Sequence, residues 1–411
     1  MLRKAVLLIL CVYAISLFSS IIPVNAASSD IAEYDAVTVA KIVSNTSLTD
    51  LKAKAVILVD HSTGKVLLEK NSHEKLPIAS ITKIMSMLLV MEAIDSGIIS
   101  YDTKVKVSEH SWSMGGSQVW LEPGEVFTVD ELFKAVAIHS ANDATVALAE
   151  AIAGSEEAFV AMMNQKAKEL GMNDTNFLDC SGLTDVGHYS SAYDVAIMSR
   201  ELLMKHPEVT KYTTIWHDEF RVNVPGKKPV SLDNTNKLVR FYEGTVGLKT
   251  GYTGAAGHCL AASAVRGGQQ LISVVLGEPD SNTRFAESRK LLDYGFANFE
   301  TVLVNNMGEK VQDVQVRKGM KPVVTVVYEK DVKLLLKKGE KGKIERVAAI
   351  KPDLTAPVKA GQKIGEVTYM VSGNEVGKAN LVAGTDVQKA SFLRLFVKLA
   401  EEWFKMGRII E

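Results

Sequence analysis

From Ile84 to Ile94 the chain is apolar with few interruptions, and Gly97 follows as a stop signal. A helix that is apolar almost all round belongs at the centre of a domain. Upstream, two short runs, Ala55–Val59 and Lys65–Glu69, flank Gly64 and read as a hairpin. Downstream, Thr128-Val129-Asp130-Glu131 is a capping box, which predicts a helix to about His139. Further helices are predicted over Asp143–Ala153, Glu156–Leu170 and Asp194–Lys205, ended by Gly154, Gly171 and Pro207 respectively. A strand over Thr245–Thr250 leads into Gly251, and Cys259–Val265 with Leu271–Leu276 make a hairpin around Gly267-Gly268. A helix from Arg284 to Phe296 closes the region. Strands at both ends with helices between them predict an α+β fold, an antiparallel sheet covered by helices. Residues 105–127 read as a long loop in which Trp120 either packs or faces a substrate, with packing favoured, and residues 206–243 as irregular with short strands.

From about residue 300 the period changes. Val302–Val304, Val311–Val316, Val323–Tyr328, Val332–Lys337, Glu345–Ile350, Ile364–Val371 and Gly377–Val382 are short strand-like runs, punctuated by Gly, Lys, Asp and Asn. They predict a small, sandwich-like all-β domain over 300–388. The end, Ser391–Ile410, is helical in pattern: Phe392, Leu395, Phe396, Leu399, Trp403, Met406 and Ile410 share one face. Arg394, Lys398, Glu401, Lys405 and Arg408 share the other. Charges along its whole length predict a helix over 389–411 lying in a membrane interface rather than crossing it. Docking on the protein, or a dimer seam, is the competing reading.

Composition bounds the rest. The chain of 411 residues is 47% hydrophobic and 23% charged, with a net charge of −1, which gives no electrostatic footprint for nucleic acid. Arg3 and Lys4, the apolar run Ala5 to Ile22 and Pro23-Val24-Asn25-Ala26 read as an export signal cut after Ala26. A polar lead-in, 27–50, then precedes a catalytic domain over 51–299. The mature chain keeps only Cys180 and Cys259, too few for a disulfide framework, so two partly buried free thiols are expected.

Candidate chemistry starts at Ser80. Ser80 and Lys83, three residues apart at the mouth of the buried helix, would share one helical face. Burial lowers a lysine's pKa, so Lys83 could take the proton of Ser80. A second copy of the spacing, Ser62-Thr63-Gly64-Lys65, lies in the hairpin, where Ser62 reads as a turn residue. Acyl transfer also needs a proton relay, a cation for an anionic substrate and donors for an oxyanion. Ser140-Ala141-Asn142, between two helices, offers a hydroxyl and an amide. Lys249-Thr250-Gly251 offers a cation and a hydroxyl on a strand, with no side chain at Gly251 to block a substrate lying there.

In that order, Ser-x-x-Lys, Ser-x-Asn and Lys-Thr-Gly, the chain resembles the penicillin-recognising serine enzymes. More closely, it is similar to the low-molecular-mass D-alanyl-D-alanine carboxypeptidases. The similarity runs through Ile78 to Lys83, Ser140 to Ala144, His188-Tyr189-Ser190-Ser191-Ala192, Lys249 to Thr253 and Leu291 to Phe296, and through the layout of the whole chain after the signal.

The resemblance implies that Ser80 attacks the penultimate D-Ala carbonyl of a peptidoglycan stem pentapeptide, with Lys83 as base. Ser140 would pass a proton to the leaving D-Ala, while Asn142 orients substrate and Lys83. Lys249 and Thr250 would hold the terminal carboxylate. The N–H groups of Ser80 and Tyr252 would form the oxyanion hole. It further implies inhibition by β-lactam antibiotics, no metal or other cofactor, and work on the outer face of the cytoplasmic membrane. Arg284 is read either as a helper at the carboxylate or as a surface salt bridge, and His139 and His258 as packing residues.

Alternatives stay open at this point. A class A β-lactamase would carry a Glu-x-x-Leu-Asn stretch between the second and third motifs, and none occurs between 143 and 248. A cell-wall transpeptidase would need a large extra N-terminal domain. A non-hydrolytic penicillin sensor would keep the pocket without the hydrolysis.

Overall fold

The computed structural model describes residues 50–222 and 226–407. The predicted export signal and the lead-in up to residue 49 lie outside the described residues. Strands β1 (Ala55–Asp60) and β2 (Val66–Lys70) form the expected antiparallel hairpin. A 3-10 turn, Ala79–Thr82, leads into α1 (Lys83–Asp95). Ser80 therefore lies in the tighter turn before the α-helix, which begins only at Lys83; 3-10 turns are frequent at helix N-termini. Ten of the thirteen residues of α1 are buried, as its apolar run requires.

The stretch 105–127 is more ordered than a loop. Strand β3 (Lys104–Lys106) pairs with β4 (Val126–Thr128), and Ser108 caps a single-turn helix, Glu109–Trp112. Elements of three or four residues are too short to show a hydrophobic period. Trp120 does not pack: it is 65% exposed with φ of 59°, and it is its carbonyl that is used, accepting from Arg221 Nη2 at 2.7 Å.

The capping box at Thr128 and Glu131 starts α2 (Val129–His139), and α3 (Asn142–Ala153), α4 (Glu156–Glu169) and α5 (Ala192–Lys205) follow. The next region holds one short pair, β5 (His217–Phe220) with β6 (Val230–Asp233). Then come β7 (Thr245–Thr253), β8 (Gly257–Arg266), β9 (Gln269–Glu278) and α6 (Ser281–Asn298), capped by Asp280.

The main sheet runs β2-β1-β9-β8-β7 and is antiparallel throughout. Alternate residues face opposite sides. Ile57, Ala261, Ile272 and Val274 join the core built with α1 to α5, while Leu58, Leu260, Ala262 and Val275 meet Phe285, Leu291 and Leu292 of α6. Each such buried aliphatic side chain contributes about 1.5–3 kcal/mol. β7 is an edge strand, so one of its sides stays open.

The C-terminal part is all-β. It comprises β10 (Phe299–Asn305), β11 (Lys310–Arg317), β12 (Val323–Tyr328), β13 (Val332–Lys337), β14 (Ile344–Ile350), β15 (Asp353–Thr355), β16 (Lys363–Val371) and β17 (Asn374–Ala383). Six form a sheet, β14-β16-β17-β12-β11-β15, and β10 pairs with β13; Tyr369, Val326 and Leu381 are in the core between them. The first hairpin touches this domain twice: Thr301 Oγ1 donates to Asp60 Oδ2 at 2.6 Å, and Lys65 Nζ donates to Val376 O. Helix α7 (Phe392–Gly407) ends the described chain with Phe392, Leu393, Phe396 and Trp403 exposed.

Candidate active site

Ser80 is presented by the 3-10 turn, and Lys83 sits at the first position of α1, fully buried. Lys83 Nζ donates to Ser80 Oγ at 3.0 Å, to Asn142 Oδ1 at 2.6 Å and to the Ser181 carbonyl at 2.7 Å. These use all three protons of an ammonium. Asn142 Oδ1 and the Ser181 carbonyl can only accept. When the amine loses a proton, those two partners keep the remaining N–H bonds, and the lone pair faces Ser80 Oγ. Burial lowers the Lys83 pKa to about 8, against the pull of the Cys180, Asp179 and Asp143 sites. The cage is thus built for a base.

The amide that holds Lys83 is itself held. Asn142 Nδ2 donates to the Gly115 carbonyl at 2.7 Å, and its backbone N–H to Ser117 O at 2.7 Å. That fixes the amide's orientation, because only the oxygen can face Lys83. Ser140 is the C-cap of α2 at φ 67°, ψ 30°, a left-handed residue that turns the chain into α3. This reversal sets Asn142, at the start of α3, against Lys83 and leaves Ser140 buried at the end of α2. Ser62, by contrast, lies in the hairpin turn, where its carbonyl accepts from Arg200, away from the cage.

Lys249 and Thr250 come from edge strand β7. Lys249 is fully buried, and burial together with the charges of Lys83 and Arg284 holds its pKa well below the ordinary lysine value. The two lysines thus lie close enough in buried surroundings for the charge of Lys83 to disfavour that of Lys249. Thr250 Oγ1 donates to Thr235 Oγ1 at 2.7 Å. Gly251 has a different reason from the one its sequence suggests. A Cβ there would lie 2.6 Å from Ile78 O and 3.2 Å from Ala79 Cβ, so the bare glycine lets β7 pack against the turn that carries Ser80. Tyr252 is exposed and stacks on His258 with ring centroids 4.4 Å apart, so His258 packs against an exposed ring.

Among the described residues Arg284 makes no surface salt bridge. It is 8% exposed, and its Nη1 donates to Gly251 O at 3.1 Å and to Cys259 O at 3.4 Å, pinning β7 to β8 from behind. Burial lowers its pKa to about 10. Cys180 and Cys259 are free, and both are wholly buried. The motifs could not reveal the Ser181 and Gly115 carbonyls, which act through backbone atoms, nor Thr235. The one available hint for Thr235 is the run Asn234-Thr235-Asn236, where Asn234 Nδ2 ties the turn to Thr213 O and Ile215 O.

The chain is similar to known proteins along most of its length. Residues 40–280 match the family described as D-alanyl-D-alanine carboxypeptidase, and residues 299–389 match the penicillin-binding protein 5 C-terminal domain. The D-alanyl-D-alanine carboxypeptidase DacF of Bacillus subtilis is 44% identical over 355 residues, covering 86% of this chain and 90% of that one. The crystal structure of penicillin-binding protein 5 from Haemophilus influenzae is similar with a TM-score of 0.76 at 32% identity, over 84% of this chain and all of the other. Penicillin-binding protein D2 of Listeria monocytogenes, in its ampicillin-bound form, is similar over 60% of this chain and 98% of its own, with a TM-score of 0.54 at 33% identity.

Proposed function

The chain belongs to the D-alanyl-D-alanine carboxypeptidase family of serine peptidases, and from that premise we propose that Ser80 removes the terminal D-Ala of peptidoglycan stem pentapeptides. Ser80 Oγ adds to the penultimate D-Ala carbonyl as Lys83 takes its proton. The C–N bond then breaks, Ser140 relays a proton to the departing amine, and an ester to Ser80 remains. Water adds to that ester and returns the proton to Ser80, leaving a shortened stem and free D-Ala. Two easier steps replace one difficult one. Lys249 and Thr250 hold the terminal carboxylate, Asn142 orients Lys83, and the N–H groups of Ser80 and Tyr252 receive the oxyanion. Gly251 keeps β7 close enough to Ser80 for both to act on one peptide.

One observation carries this reading: the Lys83 amine, held by two acceptor-only partners, with its third valence toward Ser80 Oγ. The same pocket would be acylated by a β-lactam, as ampicillin occupies the Listeria relative. Residues 1–26 would direct export, and 389–411 would lay the amphipathic tail on the outer face of the cytoplasmic membrane. The exposed Phe392, Leu393, Phe396 and Trp403 support a surface contact, and no helix among the described residues is long and apolar enough to cross a membrane. The deciding assay is release of D-Ala from a diacyl-D-Ala-D-Ala tripeptide by purified protein. Labelling by penicillin without any D-Ala release would replace the carboxypeptidase with a non-hydrolytic sensor.

A further inference from the structure

Ala79, the residue before the nucleophile, has φ of 47°, a left-handed conformation that an alanine keeps only under constraint. Two contacts constrain it. Thr82 Oγ1 donates to Ala79 O at 2.8 Å. From the other side Gly182, at φ 79°, approaches so closely that a Cβ would lie 1.9 Å from Ala79 O and 2.7 Å from Thr82 Oγ1.

Thr82 is held in turn by a histidine outside the three motifs. His188 Nε2 lies 2.8 Å from Thr82 Oγ1, and His188 Nδ1 accepts from the Leu178 backbone N–H at 3.2 Å. A backbone N–H can only donate, so Nδ1 carries the lone pair and the proton of the neutral ring sits on Nε2. The bonds then run one way, from Leu178 N–H to His188, from His188 Nε2–H to Thr82, and from the Thr82 hydroxyl to Ala79 C=O. The ring is buried edge-on to Phe177. Burial favours its neutral form, aided by Lys83 and opposed by Asp179 and Asp185.

A trans peptide is planar, with its N–H opposed to its C=O. Whatever fixes the Ala79 carbonyl therefore fixes the direction of the Ser80 N–H. We propose that His188 and Thr82 are positioning residues for the oxyanion hole, holding the Ala79–Ser80 peptide so that the Ser80 N–H is already aimed when the carbonyl arrives. This rests on the reading above that Ser80 is acylated with its own N–H as one of the donors.

Four variants separate this role from packing. Thr82→Val keeps the shape and removes the hydroxyl, whereas Thr82→Ser keeps the hydroxyl. His188→Leu removes both polar ends, whereas His188→Gln offers an acceptor to Leu178 and a donor to Thr82. The readouts are the rate of acylation by a fluorescent penicillin and the infrared band of the acyl-enzyme carbonyl, with ¹³C at that carbon. Thr82→Val and His188→Leu should acylate about 10- to 100-fold more slowly, with the carbonyl band moved to higher wavenumber because the bond is less polarised. Thr82→Ser and His188→Gln should restore both readouts to within about threefold of the parent rate.

Parent-like acylation by Thr82→Val, or slow acylation with an unmoved carbonyl band, overturns the proposal. Should the apolar variants fail to fold, His188→Asn against His188→Gln takes their place, since the shorter amide cannot span Leu178 and Thr82; equal rates in that pair overturn it. Peptide mapping of the labelled parent tells the two failures apart. A label located elsewhere than Ser80 removes the site reading itself, not only the positioning role.

Discussion

Lys83 Nζ lies 3.0 Å from Ser80 Oγ, a contact in which the amine donates when charged and accepts from the hydroxyl when neutral. Its pKa is lowered to about 8, by burial first of all. Below that value the neutral fraction falls tenfold per pH unit. The kcat/KM for a D-Ala-D-Ala peptide should therefore climb from pH 5 to about 8 and then level. Lys249 must be charged to hold a carboxylate, and its pKa is also depressed, so the alkaline fall should begin below lysine's ordinary value. A profile flat from pH 5 to pH 8 removes Lys83 as the base.

The two copies of the Ser-x-x-Lys spacing give a built-in control. Ser80→Ala should abolish covalent labelling by a fluorescent penicillin, and Ser62→Ala should leave it intact, because Ser62 lies in the hairpin turn between β1 and β2. The reverse pattern on a gel sinks the assignment.

Gly251→Ala places a methyl 2.6 Å from the Ile78 carbonyl. Backbone cannot yield as a side-chain tip can, so β7 and the Ser80 turn must part. We expect a loss of about 1–3 kcal/mol in a denaturant titration, and a fall in acylation larger than the unfolded fraction explains. Acylation unchanged in the folded variant would show that β7 and the turn need not touch.

Truncation before Ser391 should yield a protein that no longer sediments with lipid vesicles yet releases D-Ala at the full-length rate. Equal partitioning of the two forms would assign the exposed Phe392, Leu393, Phe396 and Trp403 to a protein contact instead.

Part of this site was legible because its side chains belong to short, ordered motifs: Ser80, Lys83 and Asn142 form one hydrogen-bonded cluster, and Lys249 lies near enough to Lys83 to feel its charge. What stayed hidden acts through backbone or through distant turns. The Ser181 and Gly115 carbonyls have no side-chain signature, and Thr235 reaches Thr250 across fourteen intervening residues. The fold followed the same rule. Periodic elements such as α2 and β8 were predicted within a few residues, while β3, β4 and the helix Glu109–Trp112 are too short to carry a period. The surface salt bridge read for Arg284 and the packing role read for Trp120 both fail, for opposite reasons. A guanidinium can be buried when carbonyls receive it, and a tryptophan in a left-handed turn can face water.

The hairpin that carries the decoy serine has a mechanical consequence. Asp60 and Lys65 meet Thr301 and the Val376 carbonyl from the β2–β1 side of the sheet, whereas Lys249 and Thr250 lie on β7 at its opposite edge. The all-β domain is thereby joined at the edge of the sheet opposite β7, so movement at that joint need not disturb the strand that carries Lys249 and Thr250.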